Sequence, residues 1–427
     1  MTASSRALLE DLFRAAVGAA HPANSLHPHL PAPPSSGRLL ILAAGKAAGS
    51  MTEGAEAFYS GVAARQISGI AVARQGYGRP TKIIPVIEAG HPIPDAAGVA
   101  AAEQALKLAD GAGPDDLVLV LLSGGASANW IAPVEGLTLA DKQAVTRALL
   151  RSGANIGEIN TVRKHLSRIK GGRLARRAEP ARVVTLAISD VPGDDPAVIG
   201  SGPTVPDPTT LADARAIVAR YRLDLPDVVT QALADPSNES PKPNDPVFAK
   251  SEFKLIARPA DAFRAAEREA RKLGYEPVML GDRIEGEARD VAAEHAARAL
   301  ALQQQGHRVI LLSGGELTVT IRGKGRGGPN QEYALALTMA LDGAPGIAAL
   351  AGDTDGTDGG AGSADDPAGA VIDQTTLSRA RSLGLDPAHF LSDNDSTGFF
   401  SRLGDLVETG PTWTNVNDFR AIVVDRP

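Results

Sequence analysis

Five stretches of this chain set glycines, cations and aspartates where apolar runs end. They are "AAGKAAG" around Lys46, "SGGASAN" from Ser123, "SDVPGDDPAVIGSGPTVPDP" from Ser189, "SGGELTVTIRGKGRGGPNQE" from Ser313 and "AGDTDGTDGGAG" from Ala351. Glycine turns offer backbone N–H groups to anionic oxygens, Lys and Arg neutralise developing charge, and carboxylates hold Mg²⁺. Together these are the groups that phosphoryl transfer uses.

Lys46 stands at the mouth of a buried strand, "RLLILAA". The phosphate-loop pattern is absent, because Ala47 follows the lysine where Ser or Thr belongs. A helix N-terminus disfavours a cation, so the lysine points to a ligand. Ser123-Gly124-Gly125 and Ser313-Gly314-Gly315 echo each other as turns leaving apolar strands, and both are candidate phosphate cradles. Asp190, Asp194 and Asp195 crowd a third strand end; carboxylates that close repel unless a cation offsets them, which suits a base or a metal. Asp353 and Asp355 are further Mg²⁺ candidates, although Asp358 stands where a calcium-binding EF-hand loop requires glycine. "TVRKHLSRIKGG" makes Arg163 and Lys164 candidate anion ligands, while His91 and His165 read as structural. In "RGKGRGGPNQE" the cations Arg322, Lys324 and Arg326 alternate with glycines ahead of a helix expected near Asn330. Glycines there read as letting the backbone approach a ligand, and arginine clamps phosphate bidentately.

The elements that must position these residues alternate along the chain. "RLLILAA", "DDLVLVLLSGG", "ARVVTLAISD", "FKLIARP", "HRVILLSGGE" and "GIAALAGDTDG" read as buried strands. Helices are expected at 97–108, 139–151, 261–272 and 287–304, giving βαβ units around a parallel sheet and an α/β fold. The Pro-rich stretch 223–249 divides the chain into a first domain, 1–240, and a second, 250–427; the final strand "DFRAIVVD" fits either sheet. A net charge of −7 argues against a nucleic-acid partner. The absence of cysteine fits a reducing compartment. No apolar run is long enough to span a bilayer, so the expectation is a soluble, cytoplasmic protein.

In order and over nearly the whole length, "AAGKAAGSM", "SGGASA", "NTVRKHLSRIKGGRLA", "SDVPGDDPAVIGSGPTVPDPTT", "SGGELTVTIRGKGRGGPNQE", "GTDGG" and "TGPTWTNVNDFRA" resemble the glycerate 2-kinases of the MOFRL type. The resemblance implies a Rossmann-like N-terminal domain and a smaller C-terminal α/β domain, with the active site in the cleft between them. It implies phosphorylation of D-glycerate by ATP at the 2-hydroxyl. It casts Lys46 and Arg326 as catalytic cations, with Lys324 as a substitute since Pro329 occupies a place where many relatives carry arginine. Asp190 would orient or deprotonate the hydroxyl, and Asp190 and Asp195 with the two Ser-Gly-Gly turns and Asn330 would serve metal and nucleotide. Charge, rather than the resemblance, makes Arg163 or Lys164 the candidate holder of the substrate carboxylate.

Proteins of this kind have also been named hydroxypyruvate reductases. The chain lacks a G-x-G-x-x-G turn after an early strand with an acidic residue about twenty positions on, which a nicotinamide cofactor would need. A kinase for a related hydroxy acid, and a binding protein without turnover, complete the alternatives.

Overall fold

The computed structural model describes residues 3–360 and 362–426. The chain forms two compact units, one spanning Ser25–Ile256 and the other joining the segment up to Asn24 with that from Ala257 onward.

The first unit is built on strands β1 (Leu39–Ala44), β2 (Ile67–Arg74), β3 (Val86–Ala89), β4 (Leu117–Leu122), β5 (Arg182–Ile188) and β6 (Ser251–Ala257). Every residue of β1 and of β4 is buried, because the sheet is covered on both faces and gains nothing from polar alternation. The strand order is β3-β2-β1-β4-β5-β6, and β3 through β5 pair in parallel. This is a doubly wound order that reverses between β1 and β4, leaving a crevice outside their carboxyl ends. One face of the sheet packs Leu40, Leu42, Val118 and Val120 against the alanine-rich side of helix Ala96–Asp110. A separate helical layer, including Leu139–Ser152, Ile156–His165 and Leu211–Arg220, has its own core around Val145, Leu149, Val162 and Ile217. Capping boxes at Thr138/Asp141, Asn155/Glu158 and Thr210/Asp213 start these three helices.

The second unit carries β7 (Glu276–Glu287), β8 (Val309–Thr318), β9 (Ile347–Asp353), β10 (Gly369–Asp373), β11 (Leu406–Val407) and β12 (Asp418–Val424), in the order β11-β10-β9-β12-β8-β7. The sheet is mixed. Only β7 and β8 pair in parallel, and β12 lies antiparallel between β8 and β9. "DFRAIVVD" therefore belongs to this sheet. β12 is buried from end to end, and β8 and β9 are buried except toward their carboxyl ends.

Two boundaries differ from those read in the sequence. Strand β6, expected to open the second domain, closes the first sheet, because Phe253 and Leu255 pack on the first core. The N-terminal helix Ala3–Ala20 joins the second unit. Its Phe13 meets Phe419 edge-on at 5.9 Å, and Phe419 stacks on Phe263 at 5.7 Å. Arg6 donates to the carbonyls of Gly404 and Leu406, and Thr414 to that of Ala20.

Removing one aromatic from that stack tests the assignment. Phe13→Ala is expected to cost about 3–5 kcal/mol, as for other buried Phe truncations. Amide exchange should quicken in β12 and in helix Pro259–Lys272, while β1 and β4 keep their protection. Uniform loss of protection across both sheets would show that the helix does not belong to one unit.

Candidate active site

Lys46 sits at the reversal point of the first sheet, in the turn between β1 and helix Ala48–Phe58. Its amide donates to the Gly124 carbonyl at 2.8 Å, and the Ala47 amide to Ser123 Oγ at 2.9 Å. Gly45 has φ +115°, and a Cβ there would lie 2.4 Å from both the carbonyl oxygen and Oγ of Ser123, so only glycine allows the two turns to touch. Gly125, at φ +84°, leads into the short helix Ala126–Asn129. A Cβ on it would stand 3.1 Å from His91 Cδ2 and 3.5 Å from Lys46 Cγ. The structure thus brings together Lys46, Ser123, Gly124, Gly125 and His91 outside β1 and β4. Asp190 follows the neighbouring strand β5 and is half-buried. Asp195 is exposed and accepts the Ala197 amide at 2.9 Å, closing its own turn.

The basic segment after Thr161, read as a source of anion ligands, is largely buried. Lys164 and Lys170 lie inside the unit, as does Lys142 of the preceding helix. Lys164 Nζ pairs with Asp207 at 3.4 Å. Lys170 Nζ and the Arg163 guanidinium both donate to the carbonyl of Ser127, at 2.7 and 3.3 Å, and Lys142 Nζ donates to the carbonyl of Arg163 at 3.0 Å. Burial, reinforced by neighbouring cations, pushes Lys142 and Lys170 well below the usual lysine pKa. Burial lowers Arg163 too, and brings Arg173 down to about 10. The N–H groups of Gly171 and Gly172 are taken by the carbonyls of Ser201 and Gly202. His165 bridges the Thr161 carbonyl and Glu239, a structural tie as its sequence context suggests.

In the second unit the Arg322–Gly328 ribbon runs extended along residues 393–396. Asn394 Oδ1 accepts the amides of Arg322 and Gly323, Asp393 Oδ1 that of Lys324, and Asp395 Oδ1 that of Arg326. The alternation has a simple cause. Glycines face the turn beneath, where a Cβ on Gly323 would fall 2.2 Å from the Asp393 carbonyl oxygen, and the cations face outward. The glycines at 323, 325 and 327 accommodate this packing. Arg326 keeps a side chain 63% exposed while its guanidinium meets Asp366 at 3.0 Å.

The second Ser-Gly-Gly is not a turn. Ser313, Gly314 and Gly315 lie within β8, paired with Arg420, Phe419 and Asp418 of β12. Gly314 leaves room for the Phe263 ring, which a Cβ would approach to 2.5 Å, and Ser313 Oγ accepts from Arg420 at 3.4 Å. Close by, Asn330 opens helix Pro329–Leu341 behind Pro329, which suits the first helical position because it lacks an N–H. Asp358 accepts the Asn330 and Gln331 amides at 3.0 and 2.8 Å, and the Asn330 side chain donates to Asp358 and Asp418. Burial pushes Asp358 up to about 7 against the pull of these donors. Asp353 and Asp355 are occupied locally: Asp353 Oδ1 accepts the Asp355 amide, and Asp355 Oδ1 the amide and hydroxyl of Thr357.

Among the described residues no three His, Asp or Glu side chains converge as a metal cage. Mg²⁺ shared with substrate phosphates needs only one or two carboxylates, so the oxygen donors present suit it. Among the same residues no helix is long and apolar enough to cross a membrane. Sequence reasoning passed over Lys142, Lys170, Asp358, Asp418 and Arg420. Lys170 lies beyond the helix Ile156–His165, so helical spacing held no signal for it.

Residues 8–234 match a domain of unknown function, DUF4147, and residues 309–418 match the MOFRL family. A glycerate 2-kinase of Pyrococcus horikoshii is 40% identical over 91% of this chain and 88% of its own length. A protein of Agrobacterium vitis provisionally named hydroxypyruvate reductase is 48% identical over 99% of this chain and 95% of its own. The crystal structure of a Thermotoga maritima glycerate kinase superposes with a TM-score of 0.87 at 35% identity, covering 99% of both chains.

The buried Asp358 carboxyl gives a stability signature. It titrates at about 7 in the folded chain against 3.8 for an ordinary aspartate. Between these values the folded state retains a proton that the unfolded chain has released, so this group's contribution to stability falls as pH rises. Asp358→Asn, which cannot titrate and turns N–H toward N–H, should be less stable than wild type in denaturant unfolding. The gap should be larger at pH 5 than at pH 7.5. A gap that widens with pH would contradict this account.

Proposed function

Because this chain belongs to the family that joins a DUF4147 domain to a MOFRL domain, and that includes glycerate 2-kinases, we propose that it transfers the γ-phosphoryl group of ATP to the 2-hydroxyl of D-glycerate, giving 2-phosphoglycerate and ADP. The observation that carries this reading is the lysine at the reversal point. A cation held over the carboxyl ends of β1 and β4, with its backbone pinned by Ser123 and Gly124, stands where doubly wound sheets collect phosphates.

In this reading the 2-hydroxyl oxygen attacks the γ-phosphorus in line with the departing ADP oxygen. Lys46 and Arg326 neutralise the charge spread over the phosphoryl oxygens, with Lys324 as an accessory cation. Asp190 orients the hydroxyl and takes its proton. The amides of the Ser123-Gly124-Gly125 turn are the nucleotide phosphate donors, and Ser313, Gly314, Gly315 and Asn330 act from within the second sheet's framework. Arg163 or Lys164 attracts the substrate carboxylate. Magnesium supplies charge neutralisation on the phosphates when bound, and Asp190, Asp195, Asp353 and Asp355 are the carboxylates that would hold it. The cytoplasm, where ATP is plentiful, is the proposed compartment.

The reductase reading finds little support in the β1 turn, which reads Gly45-Lys46-Ala47-Ala48-Gly49 in place of a dinucleotide fingerprint.

A coupled ADP-release assay with D-glycerate and Mg·ATP, resolving 2- from 3-phosphoglycerate, tests the kinase. Wild type should release ADP only with the acid present. Lys46→Ala should lower kcat by about 10²- to 10³-fold, the usual loss on removing one preorganised transition-state donor. Oxidation of NADH by hydroxypyruvate, without ADP release from glycerate, would replace the kinase with the reductase.

A further inference from the structure

Three cations in the first unit, Lys142 and Lys170 buried and Arg163 half-buried, have no carboxylate partner among the described residues. Lys142, Arg163 and Lys170 each donate a side-chain hydrogen bond only to a main-chain carbonyl among the described residues. The adjacent carboxylate, Asp207, is already engaged by Lys164, Thr209 and Ser240. Burying cations without a counterion is a burden on the fold that weakens their hold on the proton, and an anionic ligand beside them would offset that burden. Lys170 is the most demanding case. It is only 1% exposed and uses one of its three N–H donors.

The place where these charges meet is well defined. Lys170 and Arg163 share the Ser127 carbonyl as acceptor, so their charged ends lie within a small anion's span of each other. The hydroxyls of Ser127 and Ser201 stand beside them, 2.7 Å apart. Ser127 comes two residues after Gly125, whose α-carbon faces the stem of Lys46. The Ser127 carbonyl thus ties Lys170 and Arg163 to the same short helix whose first turn borders Lys46.

We infer that Lys170 and Arg163, with the Ser127 and Ser201 hydroxyls, form the receptor for the carboxylate of the acceptor acid, with Lys170 at its base. This rests on the kinase reading for the identity of the acid, and it makes the free carboxylate the feature that the first unit selects. Lys142 acts through Arg163, by fixing its backbone carbonyl and adding to the local positive field. A neutral polyol of the same size would leave the cations uncompensated and bind poorly.

Calorimetric titration of D-glycerate and of glycerol into wild type, Lys170→Met and Arg163→Gln tests the assignment. ADP release is measured on the same samples. Wild type should bind D-glycerate and bind glycerol at least a hundredfold more weakly. Each variant should weaken D-glycerate at least tenfold and leave Mg·ATP affinity unchanged. Lys170→Met should melt at the same or a higher temperature, because an unpaired buried charge is replaced by an apolar side chain of similar shape. Should that variant not fold, Arg163→Gln, at a half-buried site, decides the matter. Undiminished D-glycerate binding in the folded variants overturns the inference, as does a loss of Mg·ATP affinity in its place, which would make the site a nucleotide phosphate site. Absence of D-glycerate binding to wild type overturns it as well. Lys170-dependent binding of D-glycerate without ADP release would overturn the kinase and leave the carboxylate receptor standing.

Discussion

The hydrogen bond from the Lys46 amide to the Gly124 carbonyl joins the turns that follow the two central strands of the parallel sheet. The rest of the first unit's chemistry depends on it. The bond requires Gly45 to adopt a left-handed conformation and to have no side chain, since its α-carbon rests on Ser123. It also recruits the Ser123 hydroxyl to the Ala47 amide, so that the start of helix Ala48–Phe58 is tied to the neighbouring strand rather than to a capping residue of its own. A lysine at a helix N-terminus is electrostatically unfavourable in isolation. Here its backbone is fixed by the contact between the two strand ends.

The same logic extends into the helical layer. Lys164 is buried and Arg163 half-buried because the helix that carries them docks by its apolar side, through Ile159, Val162 and Leu166, onto its own small core. The chain after it is held against residues 201–203 by backbone hydrogen bonds, which carries Lys170 inward. The second unit handles buried charge differently. Asp358 is fully enclosed, yet amide and side-chain N–H groups of Asn330 and Gln331 surround it, and Arg420 balances Asp418 at 3.0 Å. One unit satisfies its buried ions internally and the other keeps cations in excess, and that asymmetry sets them apart chemically.

Much of this was legible in the residues themselves. Apolar runs such as "LLILAA" and "LVLVLL" mark the central strands because both faces of a parallel sheet are covered. Less apolar strands escaped notice: β2 contains Ser68 and Gly69, and β7 is half-exposed along most of its length. Lys46 stood out because neither helix propensity nor solvation accounts for it. In the ribbon from Arg322 to Gly328, Gly323, Gly325 and Gly327 answer to a turn at 393–396 and Gly328 to Asp358, which no local pattern reveals.

Sequence alone determined the α/β class, the strand-end location of Lys46 and Ser123–Gly125, and the likeness to a kinase family, because these follow from local periodicity, turn chemistry and motif order. Only the tertiary structure decided the rest. It put the N-terminal helix with the C-terminal unit, through the stacking of Phe13, Phe419 and Phe263. It turned the second Ser-Gly-Gly into strand, through pairing with β12. It also made Lys170 and Arg163 neighbours of one carbonyl. Each of these outcomes rests on contacts between residues distant in the chain, and the free energy of such contacts is not encoded in any short stretch of it.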